Sequence, residues 1–145
     1  MLQLPRYTAP DNSVAEYDAT ATRLAYDSFA GDPCGCLGCR NFRAVWGPAS
    51  QGDESLVTAC CAIGIDLRKP IETVVYEVQK ETGLAFYYGD FLFVGRIVEA
   101  GAQGEVSLPW WFSDPGPRYD EFGPTQTGIR FQVTLPWVLP ENFVS

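Results

Sequence analysis

Apolar positions recur with a period of two over most of the second half of the chain, and with a helical period in a shorter stretch before it. In Glu72 to Gln79, Val74, Tyr76 and Val78 share one side while Thr73, Val75 and Glu77 share the other, as in a strand. Lys80-Glu81-Thr82-Gly83 reads as a turn, after which Leu84, Phe86 and Tyr88 alternate on a second strand. Gly89-Asp90 has the glycine-first form of a type II′ hairpin loop, which makes Phe91 to Val98 a third strand. That strand is apolar on both sides apart from Arg96 and so belongs in the middle of a sheet. Glu105 to Phe112 reads as a strand that Pro109 confines to an edge or a bulge, because proline donates nothing to a ladder. Ile129, Phe131, Val133 and Leu135, alternating with Arg130, Gln132 and Thr134, form the clearest strand, with its apolar side toward the core.

Earlier in the chain, Phe42, Val45 and Trp46 fall at i, i+3 and i+4 on a short helix that ends near Gly47-Pro48. A second helix carries Leu56, Val57, Cys60, Cys61 and Ile63 on one broad face, with Ser50 or Asp53 as its cap and Gly64 as its stop. Between Glu16 and Phe29, Tyr17, Ala19 and Ala21 alternate with Asp18, Thr20 and Thr22; the alternation favours a strand, while the alanines also fit a helix. Ser113 to Pro117 opens a loop that runs through Gly123-Pro124, and the proline-rich tail from Pro136 lies extended over the body. These elements predict one α+β domain over residues 1–145: an antiparallel meander of about five strands, with two short helices near the N-terminal third.

Composition narrows the partners. The 145 residues carry 18 Asp and Glu against 10 Lys and Arg, a net charge of -8, and the longest basic run is Arg68-Lys69. Phosphate backbones are bound by clustered cations, so nucleic acid is excluded as a direct partner, and the acidic surface suits solubility or a basic protein partner. No apolar run is long enough to cross a bilayer, and the N-terminal stretch lacks the pattern of a secretory signal, which predicts no membrane association and a cytoplasmic location.

The densest chemistry lies in Asp32-Pro-Cys-Gly-Cys-Leu-Gly-Cys-Arg-Asn-Phe42, with three of the five cysteines inside six positions. A structural zinc ion takes four tetrahedral ligands. The chain has no histidine, so Cys34, Cys36 and Cys39 require Cys60 as the fourth ligand, with Cys61 as its substitute. Both cannot serve one ion, because adjacent helical residues point about 100° apart. Cys36-Leu-Gly-Cys39 also has the spacing of a redox dithiol at a helix start, although such motifs ordinarily follow a strand in a parallel βαβ unit. Two alternatives remain: a disulfide from Cys34 or Cys39 to the second helix in an oxidising compartment, and packing alone, since free cysteines are among the most buried residue types. Arg40 and Asn41 are the polar groups placed to tie this turn to the sheet.

The run Cys34-Gly-Cys-Leu-Gly-Cys-Arg-Asn-Phe42, followed by Ile63-Gly-Ile-Asp-Leu-Arg-Lys-Pro70, Val74-Val-Tyr-Glu-Val78 and Tyr87-Tyr-Gly-Asp-Phe-Leu-Phe-Val-Gly95, resembles small uncharacterised bacterial proteins that carry C-x-C-x2-C-R-N-F. The resemblance spans about Cys34 to Gly95. It implies a bacterial or phage origin and a single structural unit from Cys34 to Phe42, and it transfers no catalytic residue.

A chain without histidine has no Ser-His-Asp or Cys-His nucleophile, and no phosphate-binding glycine loop is present. Adjacent carboxylates such as Asp53-Glu54 and Asp120-Glu121 read as solvated charges. Trp110, Trp111, Tyr119 and Phe122 cluster around the proline-glycine loop, and on a strand the two tryptophans face opposite ways. These four residues are the candidate partner-binding surface. The resulting expectation is a non-enzymatic protein-interaction module without a cofactor, of the immunity, inhibitor or adaptor kind. The alternative is a zinc- or thiol-dependent enzyme built on Cys34, Cys36 and Cys39.

Overall fold

A computed structural model describes residues 3–46, 54–101 and 107–141. The first departure from the expected pattern comes at Asp18. Strands β1 (Arg6–Thr8) and β2 (Val14–Tyr17) pair antiparallel, and the chain then enters helix α1 (Ala19–Ser28) where the alternation favoured strand. The Asp18 side chain accepts the Ala21 N–H at 2.9 Å and so caps the helix. Thr22, Ala25 and Tyr26, at helical spacing, turn inward, while Leu24 is left exposed. Alanine and threonine fit either period, so the cap and the docking of Thr22 and Tyr26 decide the outcome. Thr22 Oγ1 accepts from Val94 N, and Tyr26 Oη donates to Leu92 O at 2.6 Å.

Helices α2 (Leu37–Val45) and α3 (Glu54–Ile63) follow where the helical period placed them. Gly64 ends α3 in the left-handed region at φ 95°, and the N–H groups of Gly64 and Ile65 both reach Cys60 O. The expected caps Ser50 and Asp53 lie outside the described residues, as do the Gly47-Pro48 helix end and residues 105 and 106 of the expected Glu105–Phe112 strand, whose strand structure begins only after Pro109.

Strands β3 (Glu72–Gln79), β4 (Leu84–Glu99), β5 (Trp110–Ser113) and β6 (Gln126–Pro136) complete a six-stranded antiparallel sheet of order β1-β2-β4-β6-β5, with β3 also paired to β4. The α+β class holds: among the described residues the sheet has six strands against the expected five or so, and α1 is added to the two expected helices. It is not a simple meander, because β6 returns between β4 and β5. The largest correction falls at Gly89-Asp90, which is not a hairpin. Sixteen residues run through it as one strand, pairing with β6 over Leu84 to Val94 while β3 and then β2 follow one another along the opposite edge. Gly89 does not have the positive φ that a type II′ turn requires.

The sheet's helix-facing side carries the core. Phe42 of α2 is fully buried, stacks on Phe131 at 5.5 Å, and meets Tyr87, Phe91 and Trp46 edge-on or tilted. Ala85, Tyr87 and Phe91 of β4 point to this side, and Ile129, Phe131, Val133 and Leu135 of β6 are buried as expected. Tyr88 is exposed and forms an aromatic contact with exposed Tyr76; Phe86, half-buried, also contacts Tyr76. The tail leaves β6 at Pro136, bends over Leu139 to Glu141 and is described as far as Glu141.

Candidate metal centre

The cysteine loop is built by short-range hydrogen bonding and then anchored to the sheet. Asp32 N donates to Pro70 O, and the Asp32 carboxylate accepts Cys34 N–H at 3.0 Å, which turns the chain toward Cys36. Arg43, in the last turn of α2, reaches back to Cys34 O at 3.0 Å. Cys36 is the N-cap of α2, in extended backbone conformation, and its sulfur accepts Cys39 N–H at 3.4 Å. A cysteine sulfur thereby fills the place usually taken by a Ser or Asp oxygen, at the positive end of the helix.

The Sγ atoms of Cys34, Cys36 and Cys39 all lie within 4.8 Å of one another, and among the described residues no other set of three or more Cys, Asp or Glu side chains converges in this way. All three carry free thiols. A tetrahedral ion with Zn–S bonds of about 2.3 Å holds its sulfurs about 3.8 Å apart. Closing from the observed spacing requires movements of no more than about 1 Å, so the cluster fits a metal ion without rebuilding the loop.

The three thiols are electrostatically unequal. The Cys39 and Gly38 backbone N–H groups hold the exposed Cys36 thiol below its usual range. Burial pushes the Cys39 thiol well up, and its S–H points at Thr73 O, 3.9 Å away. A bound cation reverses that preference, because it stabilises all three thiolates directly.

Two close contacts set the position of the loop. A Cβ on Gly38 would stand 2.5 Å from Val75 Cγ1, so glycine lets the first turn of α2 rest on β3. Gly35 faces open space and has no such constraint. Beneath the helix, Tyr87 Oη donates to Gly38 O at 2.8 Å and accepts from Asn41 Nδ2 at 3.2 Å. Burial pushes the Tyr87 hydroxyl up to about 12, so it stays protonated and able to donate. Asn41, with no exposed surface, also donates to Pro136 O and accepts from Val138 N and Leu139 N, while Arg40 pairs with Glu141 at 2.7 Å. Arg40 and Asn41 therefore tie the helix to the end of β6 and to the tail, as the sequence suggested. Tyr87 was not legible, because the alternation of Leu84, Phe86 and Tyr88 drew attention to the opposite side of its strand.

The structure does not bring Cys60 or Cys61 to this cluster. Cys60 is fully buried on the same face of α3 as Leu56, Ala59 and Ile63, and burial pushes its thiol well above the ordinary range. Cys61 is exposed and lines a shallow groove with Arg23, Tyr26 and Asp66.

The aromatic candidates also divide. Trp110 and Trp111 do face opposite sides: Trp110 is 1% exposed with its Nε1 on Ser55 Oγ at 2.9 Å, and Trp111, paired in register with Arg130, is half-buried. Phe122 is 1% exposed between Tyr26 and Phe29, and half-buried Tyr119 packs edge-on to Phe29. Trp110 and Phe122 are core residues and offer a partner no surface.

Adding a methyl group at Gly38 has a defined consequence. Gly38→Ala is expected to lower stability by about 1–3 kcal/mol, the usual range for overpacking. Val75→Ala in the same chain should recover most of that loss, because the clash is with one side-chain methyl. Urea unfolding of the two single variants and the double variant checks it, and simple additivity of the two losses would refute the contact.

Fold and site together define an antiparallel-sheet α+β domain with a three-cysteine cluster, seated at the start of a helix, that is able to hold a metal. No family model, no curated protein and no solved structure matches the chain. Among the described residues, no helix is long and apolar enough to cross a membrane.

Proposed function

We propose that this chain is a non-enzymatic metal-binding domain in which Cys34, Cys36 and Cys39 supply three thiolates to one soft divalent ion of the zinc class. The observation that supports it is the convergence of three free Sγ atoms within 4.8 Å at a helix start. Thiolate ligands favour zinc or another soft ion over magnesium or calcium, which take oxygen. Three ligands leave one position for water or for a donor atom brought by a protein partner, and in this way the metal serves an interaction module. Among the described residues no carboxylate belongs to the three-sulfur cluster, and the Asp32 carboxylate beside it accepts the Cys34 N–H, which supports a structural over a catalytic role for the ion. Five free thiols suit a reducing compartment such as the cytoplasm, and the resemblance suits a bacterial source.

Protein purified without chelators and reloaded under reducing conditions should contain one zinc per chain. Binding is expected to disappear in Cys34→Ser, Cys36→Ser and Cys39→Ser and to persist in Cys60→Ala and Cys61→Ser. At zinc concentrations a hundred to a thousand times Kd, the ion adds about 3–4 kcal/mol, so chelation should lower Tm by on the order of 10 °C. Elemental analysis that finds no zinc, or finds it undiminished in Cys36→Ser, refutes the proposal.

A further inference from the structure

We propose that Cys36 and Cys39 form a dithiol–disulfide couple that exchanges with small external disulfides, and that its oxidation discharges the metal. The dithiol step rests on geometry alone; the discharge rests on the zinc reading above.

The two cysteines are placed for different roles. Cys36 is exposed and sits just outside the helix, where an incoming disulfide reaches its sulfur. Cys39 is buried at 6% exposure, screened from external reagents, yet its Sγ is within 4.8 Å of Cys36 Sγ. Residues three apart at a helix start have Cβ atoms about 5–6 Å apart, and a disulfide needs about 3.5–4.5 Å. The remaining tightening falls on Cys36, whose backbone is extended rather than helical and is free of the helix's own hydrogen-bond ladder on its N-terminal side. Every strand pair is antiparallel, so the domain is not built like the parallel-sheet hosts of redox dithiols. The chemistry depends on the local cap and not on that host.

The steps balance. The Cys36 thiolate attacks one sulfur of R–S–S–R, forming a Cys36–S–S–R mixed disulfide and releasing RS⁻. Cys39 gives up its proton to solvent and attacks Cys36 Sγ, forming the Cys36–Cys39 bond and expelling the second RS⁻. Two protein thiols are oxidised, one external disulfide is reduced, and the two expelled thiolates take up protons from solvent. Zinc changes no oxidation state; it loses two of its three ligands, and Cys34 alone does not retain it.

Cys61 provides the internal control. It is equally open to attack, but its neighbour Cys60 is fully buried and points about 100° away around α3, so no resolving thiol follows. A mixed disulfide at Cys61 should therefore persist.

The full chain, zinc-loaded and zinc-free, is incubated with glutathione disulfide, quenched in acid and mapped by peptide mass spectrometry, while a chromogenic chelator follows released zinc. The expected result is a Cys36–Cys39 disulfide in both samples, a persistent glutathione adduct at Cys61, and zinc release at the rate of disulfide formation. In Cys39→Ser, the Cys36 adduct should change from a trace species to the main product. A persistent Cys36 adduct in the unaltered chain, a Cys34–Cys36 bond in its place, or oxidation confined to Cys61 overturns the couple. If the chain binds no zinc but forms the Cys36–Cys39 bond, the couple stands and the metal reading falls. If zinc stays bound after the bond has formed, the discharge falls and the metal reading stands.

Discussion

Gly89→Ala is expected to destabilise the domain by about 3 kcal/mol or more, an unusually large loss for the addition of one methyl group. The new Cβ would overlap the Glu72 carbonyl oxygen and stand 2.7 Å from Phe131 Cζ. Neither neighbour has room to yield. The carbonyl belongs to β3, which is paired through Glu72↔Asp90 and Thr73↔Gly89, and the Phe131 ring is held between Phe42 and Phe91. Gly35→Ala, where the added atom meets nothing within 4 Å, should change stability by less than about 0.5 kcal/mol and serves as the control. The urea midpoints of the two variants test the claim. A Gly89→Ala midpoint equal to that of the unaltered chain would mean that β4 does not pass between β3 and β6 at this point.

The second large effect is expected at Asn41. One fully buried amide makes four hydrogen bonds, to Tyr87 Oη, Pro136 O, Val138 N and Leu139 N, and thereby joins α2, β4, the end of β6 and the tail. Asn41→Ala strands several of those groups at once and should cost about 2–4 kcal/mol. The cost has a local signature as well. Amide hydrogens at Val138 and Leu139 should lose protection from exchange, whereas those in the β2–β4 ladder, which Asn41 does not touch, should change only as global stability changes. Asn41→Asp keeps the acceptor but removes the donors and buries a carboxyl, so it should not restore stability. Full stability in Asn41→Ala, or unchanged exchange at Val138, would refute the role assigned to this side chain.

These two residues show how far the sequence was legible. Glycine before aspartate looks the same whether it bends a hairpin or lets two backbones and a ring crowd together. Periodicity on either side of Gly89 does not distinguish the two, because β4 keeps its alternation straight through it. Asn41 was legible as a polar residue beside the cysteine turn, but its partners at Tyr87 and Pro136 to Leu139 lie 46 to 98 positions away. The stretch Ala19–Ser28 is helical where alternation favours strand, for a related reason. Its alanines and threonines satisfy both periods, and the deciding contacts, Thr22 to Val94 and Tyr26 to Leu92, are made across the fold.

The sequence by itself determined what is local. It specified the helical period of α2 and α3, the glycine stop after Ile63, the alternation of β6, the opposite facing of Trp110 and Trp111, and the gathering of Cys34, Cys36 and Cys39 by spacing alone. All of these depend on the geometry of a few consecutive residues, which the chain carries wherever it is placed. Tertiary structure decided which tryptophan enters the core, which side of β4 holds its essential tyrosine, and that Cys60 turns inward and Cys61 outward, both away from the cluster. Those outcomes depend on the one packing that buries the apolar faces of three helices and six strands together, and no single segment contains that information.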